Sequence, residues 1–161
     1  MIIDWGKAAI SWHQRLSEKE VVEVLPRGYV MEFPGYLDFI LEHHELVKLI
    51  NNPEANREWY ARLSSVAGVY LIVDIKTGKQ YIGSAYGQGG VWGRWETYVK
   101  DGHGGNALLK ELHLANPKYA ENFQFSLLCT LDKSLTNHEV IEKEQFFKRK
   151  LGSRAFGLNA N

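Results

Sequence analysis

The sequence has little of several residues on which whole classes of proteins depend. It contains one cysteine among 161 residues, with four prolines, two methionines and no net charge. The single cysteine, Cys129, excludes an internal disulfide and any zinc site built from cysteine pairs. No apolar run approaches the roughly 18 residues of a membrane span, and the first residues lack the basic and apolar parts of a secretory leader. We therefore expect a cytoplasmic protein with no membrane partner.

The absence of net charge hides an uneven distribution. Residues 1–65 hold 7 basic and 10 acidic side chains, whereas residues 66–161 hold 12 basic and 9 acidic ones. Zero net charge argues against a large, uniformly basic surface for nucleic acid. A basic cluster nevertheless lies near the C-terminus, at Lys143, Lys148, Arg149, Lys150 and Arg154. On charge alone, a solvated helix face explains this cluster as well as a functional surface does.

Hydrophobic periodicity and turn signals predict a mixture of helices and strands. With 45% hydrophobic and 12% aromatic residues, the chain has enough apolar material for the core of one domain with an extension. In the extension, residues 1–65, the pattern predicts a helix over 4–16, extended runs over 20–41, and helices over 42–50 and 55–63. In residues 66–161 it predicts a hairpin over 66–84, helices over 91–99 and 106–115, a strand over 123–130 and a final helix over 136–151.

The hairpin carries two tyrosines on one face. Its strands flank a turn over 74–78, where aspartate can hydrogen-bond its own backbone and glycine supplies a positive φ. Because side chains alternate along a strand, counting back from the turn places Tyr70 opposite Tyr81. Each tyrosine has a glycine two residues along its own strand, Gly68 and Gly83. We expect these small residues to leave room beside the phenols for another group to approach.

The final helix carries an acid where an apolar residue is expected. Thr136 followed by Glu139 is a capping-box pattern that begins the helix. The stripe that should face the core then runs through Val140, Glu144 and Phe147 to Leu151, at spacings of 4, 3 and 4. A carboxylate on that stripe requires a partner or a metal, because an unpaired buried charge is costly.

Several polar side chains could carry chemistry together: Tyr70, Tyr81, Arg94, Tyr98, Glu144 and Asn159. A carboxylate suits a hard cation such as Mg²⁺, and an arginine matches the geometry of phosphate. A phenol can act as a general base if neighbouring positive charge lowers its pKa from about 10. These are the parts for metal-assisted hydrolysis of a phosphodiester. Singly, each has a structural explanation: core packing for the tyrosines, and ion pairing for Arg94 and Glu144.

The order of these residues resembles the signature of the GIY-YIG nuclease superfamily. The first motif reads Gly68-Val69-Tyr70, with valine at its centre, and the second reads Tyr81-Ile82-Gly83. The downstream pattern also matches over roughly residues 66–161, with Arg94 and Tyr98 one turn apart on the next helix, Glu144 on the late helix and Asn159 after Gly157-Leu158.

The resemblance implies an α+β fold and a divalent-metal-dependent DNA endonuclease. The fold would be a small three-stranded antiparallel sheet flanked by helices, with residues 1–65 as an N-terminal α/β extension. Glu144 would hold one Mg²⁺ or Mn²⁺, Tyr70 would accept the proton of the attacking water, and Tyr81 would hydrogen-bond near the phosphate. Arg94 would neutralise the phosphoryl oxygens, Tyr98 would act as an auxiliary group or base, and Asn159 would orient the constellation.

The substrate under this interpretation is DNA, either duplex or branched. We expect DNA contacts from Ser84, His103, Lys148, Arg149 and Arg154, although Ser84 could instead bond the sheet edge and the glycine-rich loop around His103 could be only a connection. One small site cleaves one strand at a time, so double-strand cutting would call for a homodimer or two encounters. Residues 1–65 would cover the nuclease core or help to choose the substrate.

Two other functions stay open at the level of the sequence. The same scaffold could serve as a non-catalytic module that binds DNA or protein, or the same chemistry could act on RNA.

Overall fold

The computed structural model describes residues 24–160, so the helix expected over 4–16 and the start of the extended runs lie outside the described residues. The strands within this range are β1 (Leu41–Glu42), β2 (Ala67–Asp74), β3 (Gln80–Ala85) and β4 (Phe123–Leu131). The helices are α1 (His43–Asn51), α2 (Arg57–Ser64), α3 (Gly90–Asp101), α4 (Ala107–Ala115), α5 (Asn137–Leu151) and α6 (Ser153–Phe156), and a 3₁₀ turn, Tyr119–Asn122, precedes β4. None of these helices is long and apolar enough to cross a membrane.

All strand pairs are antiparallel, and the strand order is β1-β4-β2-β3. This confirms the α+β class with a small antiparallel sheet flanked by helices. The three predicted strands are present, and β1 adds a fourth by pairing Leu41 with Phe125 at the start of β4. The extended runs expected over 20–41 otherwise form no sheet in the described residues, where turns follow Pro26 and Pro34. Prolines lack the N–H that a ladder needs, so these runs cannot continue as central strands.

The hairpin turn is held by one aspartate, as expected. The carboxylate of Asp74 accepts hydrogen bonds from the Lys76 N–H at 3.0 Å and the Thr77 hydroxyl at 2.6 Å. Its backbone N–H donates to the carbonyl of Lys79 at 2.9 Å, and Gly78 has a φ of 73°. Asp74 therefore still belongs to the ladder, and the turn is centred one residue later than the sequence suggested.

This shift changes the register of the two tyrosines. Val73 pairs with Gln80, so Tyr70 lies opposite Gly83 and not opposite Tyr81. Tyr70 was expected roughly opposite Tyr81, and its actual partner lies two residues farther along β3. Both side chains nevertheless share one face as diagonal neighbours, with ring centroids 6.3 Å apart.

One aromatic core joins the extension to the rest of the chain. Tyr70 and Trp95 are fully buried between the sheet and α3, and their rings lie 6.3 Å apart. Phe39 and Trp59, from the N-terminal part, join the same cluster, with Phe39 contacting Trp95 at 6.1 Å between centroids. The described part of residues 1–65 therefore packs on the core that also holds the signature tyrosine.

Helix α5 begins as its sequence predicts. Thr136 and Glu139 form a reciprocal capping box, in which the Glu139 N–H donates to the Thr136 hydroxyl and the Thr136 N–H donates to the Glu139 carboxylate. Its inner face differs from the prediction at the C-terminal end, because Val140 and Lys148 are buried whereas Leu151 is exposed. The buried stripe therefore follows a spacing of four residues from Val140 to Lys148, and Leu151, the last residue of the helix, lies outside it.

Candidate active site

An open cleft of about 680 Å³ brings five of the predicted site residues together. Strand β3, helices α3 and α5 and the loop before α4 form its walls. The predicted residues that line it are Tyr81, Ser84, Arg94, Glu144 and Lys148. Carboxylate, guanidinium and phenol therefore line one concave site, although the carboxylate comes from a helix some 50 residues after the other two groups.

The buried phenols of Tyr70 and Tyr98 hold the guanidinium of Arg94 in position. The Nε of Arg94 donates to the hydroxyl oxygen of Tyr70 at 3.0 Å, and that oxygen lies 2.9 Å from the hydroxyl of Tyr98. The Arg94 guanidinium also lies over the Tyr98 ring, 5.2 Å from its centre. Among the described residues, the terminal nitrogens of Arg94 have no hydrogen-bond partner. The guanidinium is thus held through its Nε, and Arg94 is one of the residues that line the cleft.

The same burial sets the ionisation of the cluster. Burial raises the pKa of Tyr70 and of Tyr98 well above that of an ordinary phenol, and the nearby Arg94 guanidinium lowers each pKa by less than burial raises it. Burial alone would lower the pKa of Arg94, but the adjacent phenols raise it overall. The positive charge of Arg94 thus acts on the pKa of Tyr70 in the expected direction, but burial outweighs it, and the cluster consists of neutral phenols beside a cation.

Tyr70 lies farther from the cleft than expected. It is fully buried and does not line the cleft, whereas Tyr81, 8% exposed, does. The Tyr70 ring lies across Gly83, where an added Cβ would overlap the phenol. The space that the signature glycine leaves is therefore filled by Tyr70 itself. Gly104 likewise leaves space for the ring of Tyr98, which a Cβ added at position 104 would overlap.

Glu144 has the partners that its place on the inner face demands. Its Oε1 lies 2.7 Å from the Nζ of Lys148, one turn later, and its Oε2 accepts a hydrogen bond from the Ser84 hydroxyl. Lys148 was expected to contact phosphate at the surface, but its side chain is only 3% exposed, against 14% for Glu144. Ser84 likewise points its hydroxyl at the carboxylate. The four-residue spacing from Val140 through Glu144 to Lys148 was the signal that could have placed the lysine inside.

The cleft suits a hard cation held by one acid. No group of three or more His, Cys, Asp and Glu side chains that could hold a metal occurs among residues 24–160. Mg²⁺ commonly binds through one or two carboxylates and completes its shell with water and substrate phosphate. Glu144 faces an open cleft lined by polar groups, so the residues present fit Mg²⁺ or Mn²⁺ with Glu144 as the single protein ligand.

Asn159 fixes the edge strand that carries Tyr81. The Asn159 side chain accepts from the Ile82 N–H at 2.9 Å and donates to the Ile82 carbonyl at 2.8 Å. Leu158 adds a backbone bond to the carbonyl of Gln80 at 2.7 Å. The C-terminal segment thereby satisfies the outer edge of β3, which an edge strand otherwise leaves unpaired. Asn159 acts on the site through the backbone beside Tyr81.

The other predicted DNA contacts lie outside the cleft. His103 shapes its own loop, where its Nδ1 accepts from the Gly105 N–H at 2.9 Å. The cleft is lined instead by the residues that follow it, from 104 to 107. Arg149 is exposed, and Arg154 is exposed and donates to Gln145, which lines the cleft. Their contacts to DNA stay predictions. The sequence reasoning missed Tyr86, Ile141 and Gln145 as lining residues, because nothing in their local pattern distinguishes them.

Comparison with known proteins finds a likeness in fold. No protein-family model matches the sequence, and no curated protein does either. A mutant form of the catalytic domain of the intron endonuclease I-TevI is similar at 24% identity over 60% of this chain and 94% of that one, with a TM-score of 0.48. A second structure, of the catalytic domain of the homing endonuclease I-TevI, is 24% identical over 59% of this chain and 98% of that one, with a TM-score of 0.45.

Proposed function

We propose that this chain is a divalent-metal-dependent endonuclease that hydrolyses phosphodiester bonds in DNA through a site of the GIY-YIG type. The observation that carries the proposal is the convergence of Glu144, Arg94 and Tyr81 on one open cleft. A carboxylate for a hard cation and a guanidinium for phosphate are complementary to the two parts of a metal-bound phosphodiester.

Arg94 supplies the fixed positive charge of this site. Its side chain lines the cleft while its Nε donates to Tyr70, whose hydroxyl is bonded to that of Tyr98. Donors fixed in advance stabilise charge that develops on phosphoryl oxygens without having to reorganise during the reaction. We therefore assign to Tyr70 and Tyr98 the role of positioning Arg94.

Tyr81 is the signature phenol that can meet substrate, because its side chain lines the cleft. We assign to it the hydrogen bond to the attacking water or to the phosphate. The role of proton acceptor, expected for Tyr70, is not supported by the position of that side chain behind Arg94. Asn159 keeps Tyr81 in place by holding both backbone groups of the adjacent Ile82.

Glu144, on the α5 side of the cleft, would hold the metal. Mg²⁺ or Mn²⁺, if held there, would supply Lewis-acid chemistry for the phosphodiester. The Ser84 hydroxyl restrains the carboxylate from β3, the strand that also carries Tyr81. The acid and the phenol are therefore positioned by the same strand.

One observation favours a second candidate function. The carboxylate of Glu144 is already paired with Lys148 at 2.7 Å, as would suit a module that binds nucleic acid without cutting it. Such a module would keep the basic residues and Arg94 as phosphate contacts and would need no metal.

Cleavage of nucleic acid separates these functions. Purified protein is incubated with supercoiled plasmid and, in parallel, with labelled RNA, each with Mg²⁺, with Mn²⁺ or with a chelator. The proposal expects metal-dependent conversion of the plasmid to nicked circles, and none in the chelator. Retardation of the plasmid in a gel without nicking under any condition would support the binding module. Cleavage confined to the RNA would keep the chemistry and change the substrate.

A further inference from the structure

Lys148 is an unusual lysine. Its side chain is 3% exposed, and no other lysine in the described part of the chain is buried. Lysine is almost never fully buried unless it is paired, because removing an ammonium group from water is costly. An apolar residue at this position would complete the inner face of α5 after Val140 without that cost. The ammonium group therefore calls for an explanation other than packing.

The position of the ammonium group supplies one. It contacts Oε1 of Glu144, the oxygen that the Ser84 hydroxyl does not use. Glu144 and Lys148 both line the open cleft, so the lysine can leave the carboxylate by moving into solvent-accessible space beside it. A cation that bound to Oε1 of Glu144 would compete with the ammonium group of Lys148 for that oxygen.

We propose that Lys148 is an internal counter-ion of Glu144, which a divalent metal ion must displace, and which then contacts the substrate phosphate in the cleft. This rests on the proposed function, since it concerns the metal at Glu144. Because Lys148 is tethered four residues away on the same helix, it competes at a high effective concentration. Free protein should accordingly bind metal weakly.

A direct measurement is the Mn²⁺ affinity of the free protein, without DNA. Free Mn²⁺ is measured by electron paramagnetic resonance in titrations of wild type, Lys148→Met and Lys79→Met. Methionine keeps the unbranched length of lysine without the charge, and Lys79, on the exposed hairpin turn, controls for the lost unit charge. We expect Lys148→Met to bind Mn²⁺ roughly tenfold more tightly, because the buried competitor is gone, and Lys79→Met to match wild type.

The outcomes separate the two proposals. If the wild type nicks plasmid with Mn²⁺ but Lys148→Met binds the ion no more tightly, the counter-ion inference is overturned and the nuclease stands. If neither protein binds Mn²⁺ and the wild type does not nick plasmid, the proposed function itself fails.

A second measurement needs no variant of Lys148 and so does not depend on that variant folding. Reductive methylation followed by mass spectrometry reports how accessible Lys148 is in the wild-type protein. We expect little modification without metal and severalfold more at saturating Mg²⁺, because the ion releases the ammonium group. In Glu144→Gln, modification should not depend on Mg²⁺. Protection of wild-type Lys148 that saturating Mg²⁺ leaves unchanged would overturn the inference.

Discussion

Replacing Tyr70 with phenylalanine tests how the signature tyrosine acts. The substitution removes one hydroxyl group from a fully buried side chain and leaves the ring over Gly83 in place. Two hydrogen bonds disappear, the one that Arg94 Nε donates at 3.0 Å and the one shared with Tyr98 at 2.9 Å. If Tyr70 positions Arg94, the loss should be felt in the chemical step and not in the binding of DNA.

The size of the effect follows from the bond to the charged group. A hydrogen bond to an ionised partner contributes about 1.5–3 kcal/mol, and each 1.4 kcal/mol or so of activation free energy is about tenfold in rate. Tyr70→Phe should therefore lower the single-turnover rate of nicking by about ten- to a hundredfold. The dissociation constant for DNA should stay within about twofold of wild type, because Arg94 keeps its charge.

The pH dependence of that rate separates positioning from base catalysis. Burial raises the pKa of Tyr70, so the phenol is protonated throughout the accessible pH range and contributes no titration to the rate. Wild type and Tyr70→Phe should then show pH profiles of the same shape, displaced by a constant factor. Tyr60→Phe, which removes a hydroxyl from a side chain that does not line the cleft, is the matched control and should behave as wild type.

A different profile would refute this reasoning. If the wild-type rate rises with pH and that rise is lost in Tyr70→Phe, Tyr70 is the proton acceptor and our assignment is wrong. An unchanged rate in the variant would show that neither role applies.

Three further predictions concern stability. Asn159→Ala leaves the backbone N–H and C=O of Ile82 unpaired. The free energy of unfolding measured in urea titrations should therefore fall by about 2–4 kcal/mol. A loss below about 1 kcal/mol would contradict the pairing. Gly83→Ala places a Cβ against the Tyr70 phenol, and this overpacking should lower the free energy of unfolding by about 1–3 kcal/mol, which is measured as a lower melting temperature. An unchanged melting temperature would mean that the Tyr70 ring does not lie over Gly83. Folding raises the pKa values of Tyr70 and Tyr98, so their contribution to the free energy of unfolding should be fully present below about pH 10, the pKa of tyrosine in the unfolded chain, and should fall as the pH rises above it. Urea titrations of Tyr70→Phe should show a smaller fall. An identical fall in the variant would count against the buried cluster.

The parts of the fold that local chemistry controls could be predicted from the sequence. The Asp74 turn and the capping box of Thr136 and Glu139 formed as expected, because their hydrogen bonds join residues a few positions apart. Strand β1 was not predicted as a separate strand, because two residues carry no periodicity and Leu41 pairs only when β4 is already placed.

In the candidate site, too, some features could be predicted from the local sequence and others depend on how distant elements pack. The inward position of Glu144 could be predicted from the apolar stripe of its helix. The burial of Tyr70 could not, since it depends on the register of the hairpin and on the packing of α3 against the sheet. The burial of Lys148 was missed because a basic run predicts exposure on average, although its four-residue spacing from Glu144 was a signal for an inward position beside that acid.

The central claim is that the carboxylate of Glu144 and the other groups lining the cleft form one metal-dependent catalytic site. The most direct test compares single-turnover nicking by Glu144→Gln with that by Glu142→Gln, across a range of Mg²⁺ concentrations and with melting curves to verify folding. Glu142 lies on the same helix with a side chain 68% exposed, so its variant makes the same chemical change away from the cleft. We predict no nicking by Glu144→Gln at any Mg²⁺ concentration and wild-type nicking by Glu142→Gln. Mg²⁺-dependent nicking by folded Glu144→Gln at the wild-type rate would contradict the account.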